Sequence, residues 1–357
     1  MSESTLLRSA SPSPSIVDDV VLVDLTREEA VIDVGRGEQP IRVSDVPGEL
    51  REWARAHDIA TITTWRSGRA IGEALAIYAA GVLAGVLIGG WPGRIAGWML
   101  ILAAMVRMQY LFHESAHRGL FSRKWPNDLL GALIGSLALV PHAAYRAYHI
   151  EHHGNTRVDA NGRKDPEGFY DEVKSRPVYL ATVIFGGAYF IVWAVVVVVR
   201  AVFGSTPAWL TSRRLAKNVR TWGVVSTLGS VAAIVGLVTV GFAGEMFTWW
   251  LIPVGIHLSS MFTLLNFFEH HGVPRNTPIM HASATIDSPG VLSWLTLNIV
   301  YHRAHHVMPT ARFYRLPAVE AEIRSLLDRT GVVDRAPRHT SLFGFHVALW
   351  RRLPWAS

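Results

Sequence analysis

Apolar residues in this chain fall in long unbroken runs, not at the spacing that leaves one face of a helix or strand in water. Ile71 to Gly90 and Arg94 to Phe112 are each close to the ~20 residues a helix needs to cross a bilayer. The Trp-Pro-Gly between them predicts a tight hairpin that returns the chain to its starting side. Leu129 to Val140 is apolar but too short to cross unaided, and predicts an interfacial or re-entrant segment. Three longer runs follow, Val178 to Val199, Trp222 to Phe242 and Phe247 to Phe268.

Charge at the ends of these runs sets their orientation. Arg51, Arg55, Arg66 and Arg69 precede the first hairpin, and Arg118, Arg123 and Lys124 follow it. The positive-inside rule therefore puts both flanks in the cytoplasm. Lys174 and Arg176 precede the Val178 to Val199 run, while Arg200, Arg213, Arg214, Lys217 and Arg220 follow it, so both of its ends also read as cytoplasmic. This run is expected not to cross. Gly186 and Gly187 near its middle are where a helix could break and turn back, a conformation tolerated at membrane depth only under protein cover; the alternative use of Gly-Gly is close helix packing. The expected fold is an all-α membrane protein with four transmembrane helices, a cytoplasmic helical cap, and re-entrant or interfacial segments. Residues 1–48 are expected to form a flexible or weakly structured cytoplasmic region, with room for a small hairpin after residue 20. Residues 49–317 form the membrane catalytic unit and 318–357 a cytoplasmic C-terminal segment.

Composition agrees with this pattern: half the chain is hydrophobic and 17% is charged. The chain has no cysteine, which excludes disulfides, thiolate-ligated clusters and thiol nucleophiles, so any metal must sit on nitrogen or oxygen. The net charge is +6, with Arg far more frequent than Lys. In a membrane chain that excess serves orientation and anionic headgroups, not nucleic acid.

Histidine carries the chemistry. Ten of the 16 histidines lie in four short stretches: His113 and His117; His149, His152 and His153; His270 and His271; His302, His305 and His306. An H-x-x-H-H arises by chance about once in thirty chains of this kind, and two copies are present. On a helix, His149 shares a face with His152 and His153, while those two neighbours diverge by about 100°, so one box can serve two ions. Imidazole without thiolate suits iron, copper, zinc or nickel. About nine nitrogens exceed one ion's coordination sites, and the surplus over zinc's three or four points to a pair of irons handling oxygen. His113-Glu114-Ser115-Ala116-His117 also matches the zinc-protease H-E-x-x-H, with Glu114 as base. That remote alternative has no use for two H-x-x-H-H clusters. Glu114, Glu151 and Glu269 each adjoin a box histidine and could orient its ring by accepting the other N–H. His257 lies inside an apolar run, where an ionisable residue raises a functional hypothesis. Lys164 to Gly168, "KDPEG", reads as a turn. Trp249, Trp250 and Trp294 are near enough to the boxes to line a substrate tunnel.

The boxes "HESAH", "HIEHH" and "HRAHH", with "NIVYHRAHHVMPTARFYRLP" around the third, resemble the integral-membrane fatty acid desaturases and their hydroxylase relatives over roughly Ile71 to Pro317. The resemblance implies an O2-dependent di-iron desaturase acting on a fatty acyl chain or related lipid. The alternative is a lipid, carotenoid or alkane hydroxylase with the same centre. It also implies two irons on His113, His117, His149, His152, His153, His270, His302, His305 and His306. Asn266, four residues before His270 in "NFFEHH", would bind through a water, with His271 as an alternate ligand. Electrons would come from a separate ferredoxin-like or other carrier protein. The expected setting is a bacterial inner membrane with the site facing the cytoplasm.

Overall fold

The computed structural model describes residues 32–33, 40–41, 46–160, 163–167, 173–287 and 290–355. Within the expected N-terminal hairpin, β1 (Ile32–Asp33) pairs antiparallel with β2 (Pro40–Ile41); the rest of residues 1–45 lies outside the described residues. Helices follow in order: α1 (Gly48–Ala56), α2 (Thr64–Ile88), α3 (Gly90–Ala116), α4 (Lys124–Leu137) and α5 (His142–Asn155). A short β3–β4 pairing (Asp159–Ala160, Arg163–Lys164) leads to α6 (Arg176–Val202). Then come α7 (Arg213–Thr239) and α8 (Ala243–His270), both containing π-helical turns. The remainder is α9 (Val291–Leu295), α10 (His302–Val307), α11 (Leu316–Thr330) and α12 (Leu342–Arg352).

Five of these helices, α2, α3, α6, α7 and α8, are long and apolar enough to cross a membrane, and α4 and α5 meet at a 111° bend. Leu83, Val86 and Leu87 on α2, Val192 and Val196 on α6, and Leu228 and Val235 on α7 point outward. Contiguous exposed apolar surface of this extent needs lipid around it. α2 and α3 form the predicted hairpin, turning at Gly89 and Gly90, which both adopt positive φ. Arg107, buried in α3, ties the pair together through an ion pair with Glu73 of α2. The cap's apolar core joins α1, the end of α3 and α11 through Leu50, Leu111, Leu120, Leu316, Val319 and Ile323. Each such side chain contributes on the order of 1.5–3 kcal/mol by leaving water.

The turn expected at Gly186–Gly187 does not form. α6 runs unbroken through both glycines because they let α8 approach. A Cβ on Gly187 would overlap the Leu258 carbonyl and lie 2.7 Å from the Leu258 Cβ. Leu258 belongs to a π-helical turn of α8, His257–Met261. Each end of α6 is tied to another element. At its start the Arg176 amide donates to Pro354 O at 2.8 Å and its guanidinium to Trp350 O at 2.9 Å, beside α12. At its end Ala201 O accepts from Arg220 at 2.9 Å, on the first turns of α7, which pack against the histidine-bearing α5.

Candidate metal centre

Four helix ends converge. His113 and His117 close α3, His149, His152 and His153 sit on one side of α5, His270 ends α8, and His302, His305 and His306 lie on the single-turn-scale α10. Spacings of three and four residues bring each set onto one helical face. None of these nine rings is more than 7% exposed. They sort into two groups. His113, His117, His149, His153 and His305 bring their ring nitrogens within 4.8 Å of one another, as do His152, His270 and His306. His302 joins the second group, its Nε2 lying 3.1 Å from His270 Nε2 and 2.9 Å from His306 Nε2.

Hydrogen bonding outside the second group fixes where its lone pairs point. His152 Nδ1 donates to Asp165 Oδ1 at 2.7 Å. The Thr156 hydroxyl gives its proton to His152 O at 2.9 Å and so accepts from His306 Nδ1 at 3.0 Å. Each neutral ring then carries a bare Nε2, and these two lone pairs face one another 3.3 Å apart. A cation shared between them would satisfy both. The Nε2 atoms of His152, His270, His302 and His306 form a closed circuit with edges of 2.9 to 3.3 Å. In the first group, His117 and His149 approach at 2.8 Å, His153 and His149 at 3.1 Å, and His305 and His153 at 2.9 Å. Neither ring nitrogen of buried His113 has a hydrogen-bond partner, at a cost of roughly 1–3 kcal/mol per buried group unless something else binds it. The donor set fits a metal ion in each group.

The carboxylates are distributed unevenly. Glu114 lies 3.5 Å from His113 Nδ1 and faces Arg312. Glu269 lies 3.7 Å from His302 Nδ1. Glu151 turns away from the rings, its Oε1 accepting from Thr211 at 3.2 Å. Asn266 lines the cavity beside Glu269 and His302, whereas His271 packs on Phe267 outside both groups. The segment read as a plain turn does more than turn. Asp165 holds His152, and Glu167 Oε2 stands 3.4 Å from His152 Nε2 and 3.9 Å from His270 Nε2. Burial pushes the Glu167 carboxyl up to about 7, with the His152 charge pulling the other way. The sequence signal for both acids was their closeness to the second box; what it lacked was the β3–β4 fold-back that returns them to α5.

A cavity of about 520 Å³ opens onto the rings, walled mainly by apolar and aromatic side chains with Asn266, Glu167, Glu269, His113, His149 and His302 at its polar end. One face of α6 supplies Ala181, Phe185, Tyr189 and Trp193 to its wall. The three tryptophans expected there do not line it. Trp249 fills the notch left by Gly85 and Gly97, Trp250 donates to Leu137 O at 2.6 Å, and Trp294 stacks under Arg107 at 4.5 Å. His257 is buried beside Gln109 in a smaller apolar chamber that shares Phe112, Phe190 and Phe262 with the main cavity.

A family model described as fatty acid desaturase matches residues 89–338. Among curated proteins, the chain is 24% identical over 248 residues to a chloroplastic omega-6 fatty acid desaturase of Glycine max, covering 64% of this chain and 55% of that one. It is 27% identical over 272 residues to a fatty acid desaturase of Bacillus subtilis, covering 71% and 74%. It is 25% identical over 232 residues to an sn-1 acyl-lipid omega-3 desaturase (ferredoxin) of Nostoc, covering 60% and 63%. The chain thus spans little more than half of the Glycine max protein and just under two thirds of the Nostoc one.

Proposed function

Since the chain belongs to the fatty acid desaturase family, we propose that it is an O2-dependent di-iron enzyme placing a double bond in a fatty acyl chain or related lipid. The observation that carries this reading is the pair of buried imidazole groups at the polar end of one apolar cavity. His113, His117, His149, His153 and His305 would hold one iron. His152, His270, His302 and His306 would hold the other, with Asn266 contributing through a water. Two irons, when bound, supply the capacity to use O2 in removing hydrogen from an unactivated C–H.

The chain's own residues position and protect. The aromatic wall from α6 and α8 excludes water and holds a methylene chain across the two groups. Asp165 and Thr156 keep His152 and His306 in the tautomer that turns Nε2 inward. Glu269 and Glu167, at the cavity's polar end, are placed to hold protons. Taking O2 to two waters needs four electrons, and converting C–C to C=C supplies two, so two must come from a donor. With no cysteine, the chain has no thiolate-ligated cluster of its own, and we assign these electrons to a separate carrier protein; the Nostoc relative's name specifies ferredoxin. The basic flanks of the helices support a site facing the cytoplasm, and we place the protein in a bacterial inner membrane. Glu114 sits against Arg312 and next to five imidazoles, a setting that favours orientation of His113 over service as a protease base.

The test is expression in a host lacking such an enzyme, with mass spectrometry of total lipids and iron analysis of the purified protein. New double bonds with about two irons per chain are expected. New hydroxyls in place of double bonds would move the reading to a hydroxylase, and one zinc with peptidase activity would overturn it.

A further inference from the structure

We propose that the small chamber beside the main cavity recognises a hydroxyl on the substrate chain, so that the preferred substrate is a hydroxylated acyl lipid. The inference rests on the acyl-chain reading of the main cavity. The chamber holds about 50 Å³ and is walled by apolar side chains such as Met105, Met108, Ile134, Leu137 and Val254. Two polar side chains interrupt that wall, Gln109 of α3 and His257 of α8. His257 is 6% exposed and its Nδ1 has no hydrogen-bond partner; the Oε1 of Gln109, itself buried, has none either. Burying such atoms unpaired costs free energy that an apolar side chain in either place would not. An ionisable residue in the middle of an apolar helix is a signal of function. His257 also opens a π-helical turn, His257–Met261, a distortion common at functional sites.

Position ties this pair to the substrate. Gln109 lines both spaces, and Phe112, Phe190 and Phe262 are shared by their walls. Gln109 precedes His113 by one turn of α3, about 5.4 Å, while His257 lies near the middle of α8, whose end carries His270. The pair is therefore on the side of the imidazoles away from the cap. A lipid with its head at the membrane surface and its chain across the rings brings its methyl-end half here. The chemistry then selects the substituent. A hydroxyl both donates and accepts, so it pairs with the Gln109 amide and with either tautomer of His257. A plain methylene chain would leave both side chains unpaired, and an apolar pocket with unpaired polar groups discriminates against the ligand that lacks their partner.

The test is competition for the purified, iron-loaded, full-length protein between octadecanoic acid and each of its isomers carrying one hydroxyl in the methyl-end half, read by native mass spectrometry. Binding needs no turnover, so a failed preference and a failed acyl-chain reading give different results. At least one hydroxy acid should outcompete the plain acid about tenfold, the worth of one net hydrogen bond. Gln109→Leu and His257→Leu should each bring that ratio to about one or below, with plain-acid binding and iron content retained. If His257→Leu does not fold, Gln109→Leu carries the comparison. Equal binding of the plain acid and every hydroxy acid would mean that the pair holds ordered water only, and would overturn the proposal. An undiminished preference in both variants would overturn it too, and failure of every acid to bind would remove the acyl-chain reading together with it.

Discussion

Asp165→Asn exchanges one oxygen for a nitrogen in the carboxylate that holds His152. Oδ1 accepts from His152 Nδ1 at 2.7 Å and from the Glu167 amide at 2.9 Å, while Oδ2 accepts from the Arg157 amide at 2.7 Å. An asparagine that keeps its oxygen toward His152 presents its NH2 to the Arg157 N–H, donor against donor. The flipped amide meets two donors and is worse. The better orientation leaves one buried donor unsatisfied, at roughly 1–3 kcal/mol, and replaces a charge-assisted bond with a neutral one about half as strong. Loss of an outer partner typically lowers metal affinity ten- to a hundred-fold, equivalent to about 1.4–2.8 kcal/mol, so the two routes agree in size. Ferrous titration against a competing chelator should show Asp165→Asn losing affinity for one of two irons while the other is retained. Glu151→Gln, whose carboxylate faces Thr211, should keep both. Two irons held by Asp165→Asn with unchanged affinity would refute the assignment of Asp165 as the residue that fixes His152.

His117→Ala should lower iron content and abolish activity, whereas Glu114→Gln should keep iron and lose ten- to a hundred-fold in turnover; a fully iron-loaded but dead Glu114→Gln enzyme would restore a larger role to this residue. Gly187→Val would drive a side chain into the Leu258 backbone, so melting should show a loss of about 1–3 kcal/mol, and lipid analysis a changed product distribution as the cavity wall shifts. His346 Nε2 donates to Leu264 O at 2.8 Å, and in the neutral ring Nδ1 accepts from the Tyr179 hydroxyl at 2.9 Å. Burial pushes its pKa down to about 4. Its contribution, at most about 3 kcal/mol, is therefore present above about pH 6.5 and lost as pH falls toward 4; hydrogen exchange of α12 across that window should show it, and His346→Phe should flatten the response. Single cysteines introduced at Ser122, Lys174, Ser212 and Ser325 should all label from the cytoplasmic face, and outside labelling at Ser212 would contradict the reading that both ends of α6 share one side.

Eight imidazoles were legible because spacing sets them apart: His at i, i+3 and i+4 repeats on separate helices, in a chain where charge is scarce, has few other uses, whereas His270 was reached through the family resemblance. The second layer was not. Asp165 and Glu167 lie 13 and 15 residues beyond His152, and an acidic turn after a helix looks the same in sequence whether it faces solvent or folds back onto the rings. Thr156 was silent for a similar reason, since a threonine at a helix end ordinarily satisfies its own backbone, and this one does so while also fixing His306. Glu151 shows the converse: adjacency to box histidines suggested a partner, but at position 151 the helix turns the side chain toward Thr211. Sequence neighbours on a helix point about 100° apart, so adjacency is weak evidence of contact.

α6 marks the limit of reading topology from hydrophobicity. Length and apolarity alone would make it a crossing helix, and the charges at both ends argued against that. The device inferred to reconcile them, a break at the glycine pair, was the one that local rules make available. The structure needs no break, because one end of α6 is anchored to α12 and the other to the start of α7, while its middle packs on α8 and on Tyr148 of α5. The path of this 27-residue helix is thus fixed by partners at each end, and those partners lie more than a hundred residues apart in the chain. The same path explains its second use. Lying along α5 and α8, α6 offers Phe185, Tyr189 and Trp193 to the cavity, so the glycines that admit Leu258 also set how closely that aromatic wall approaches the imidazoles.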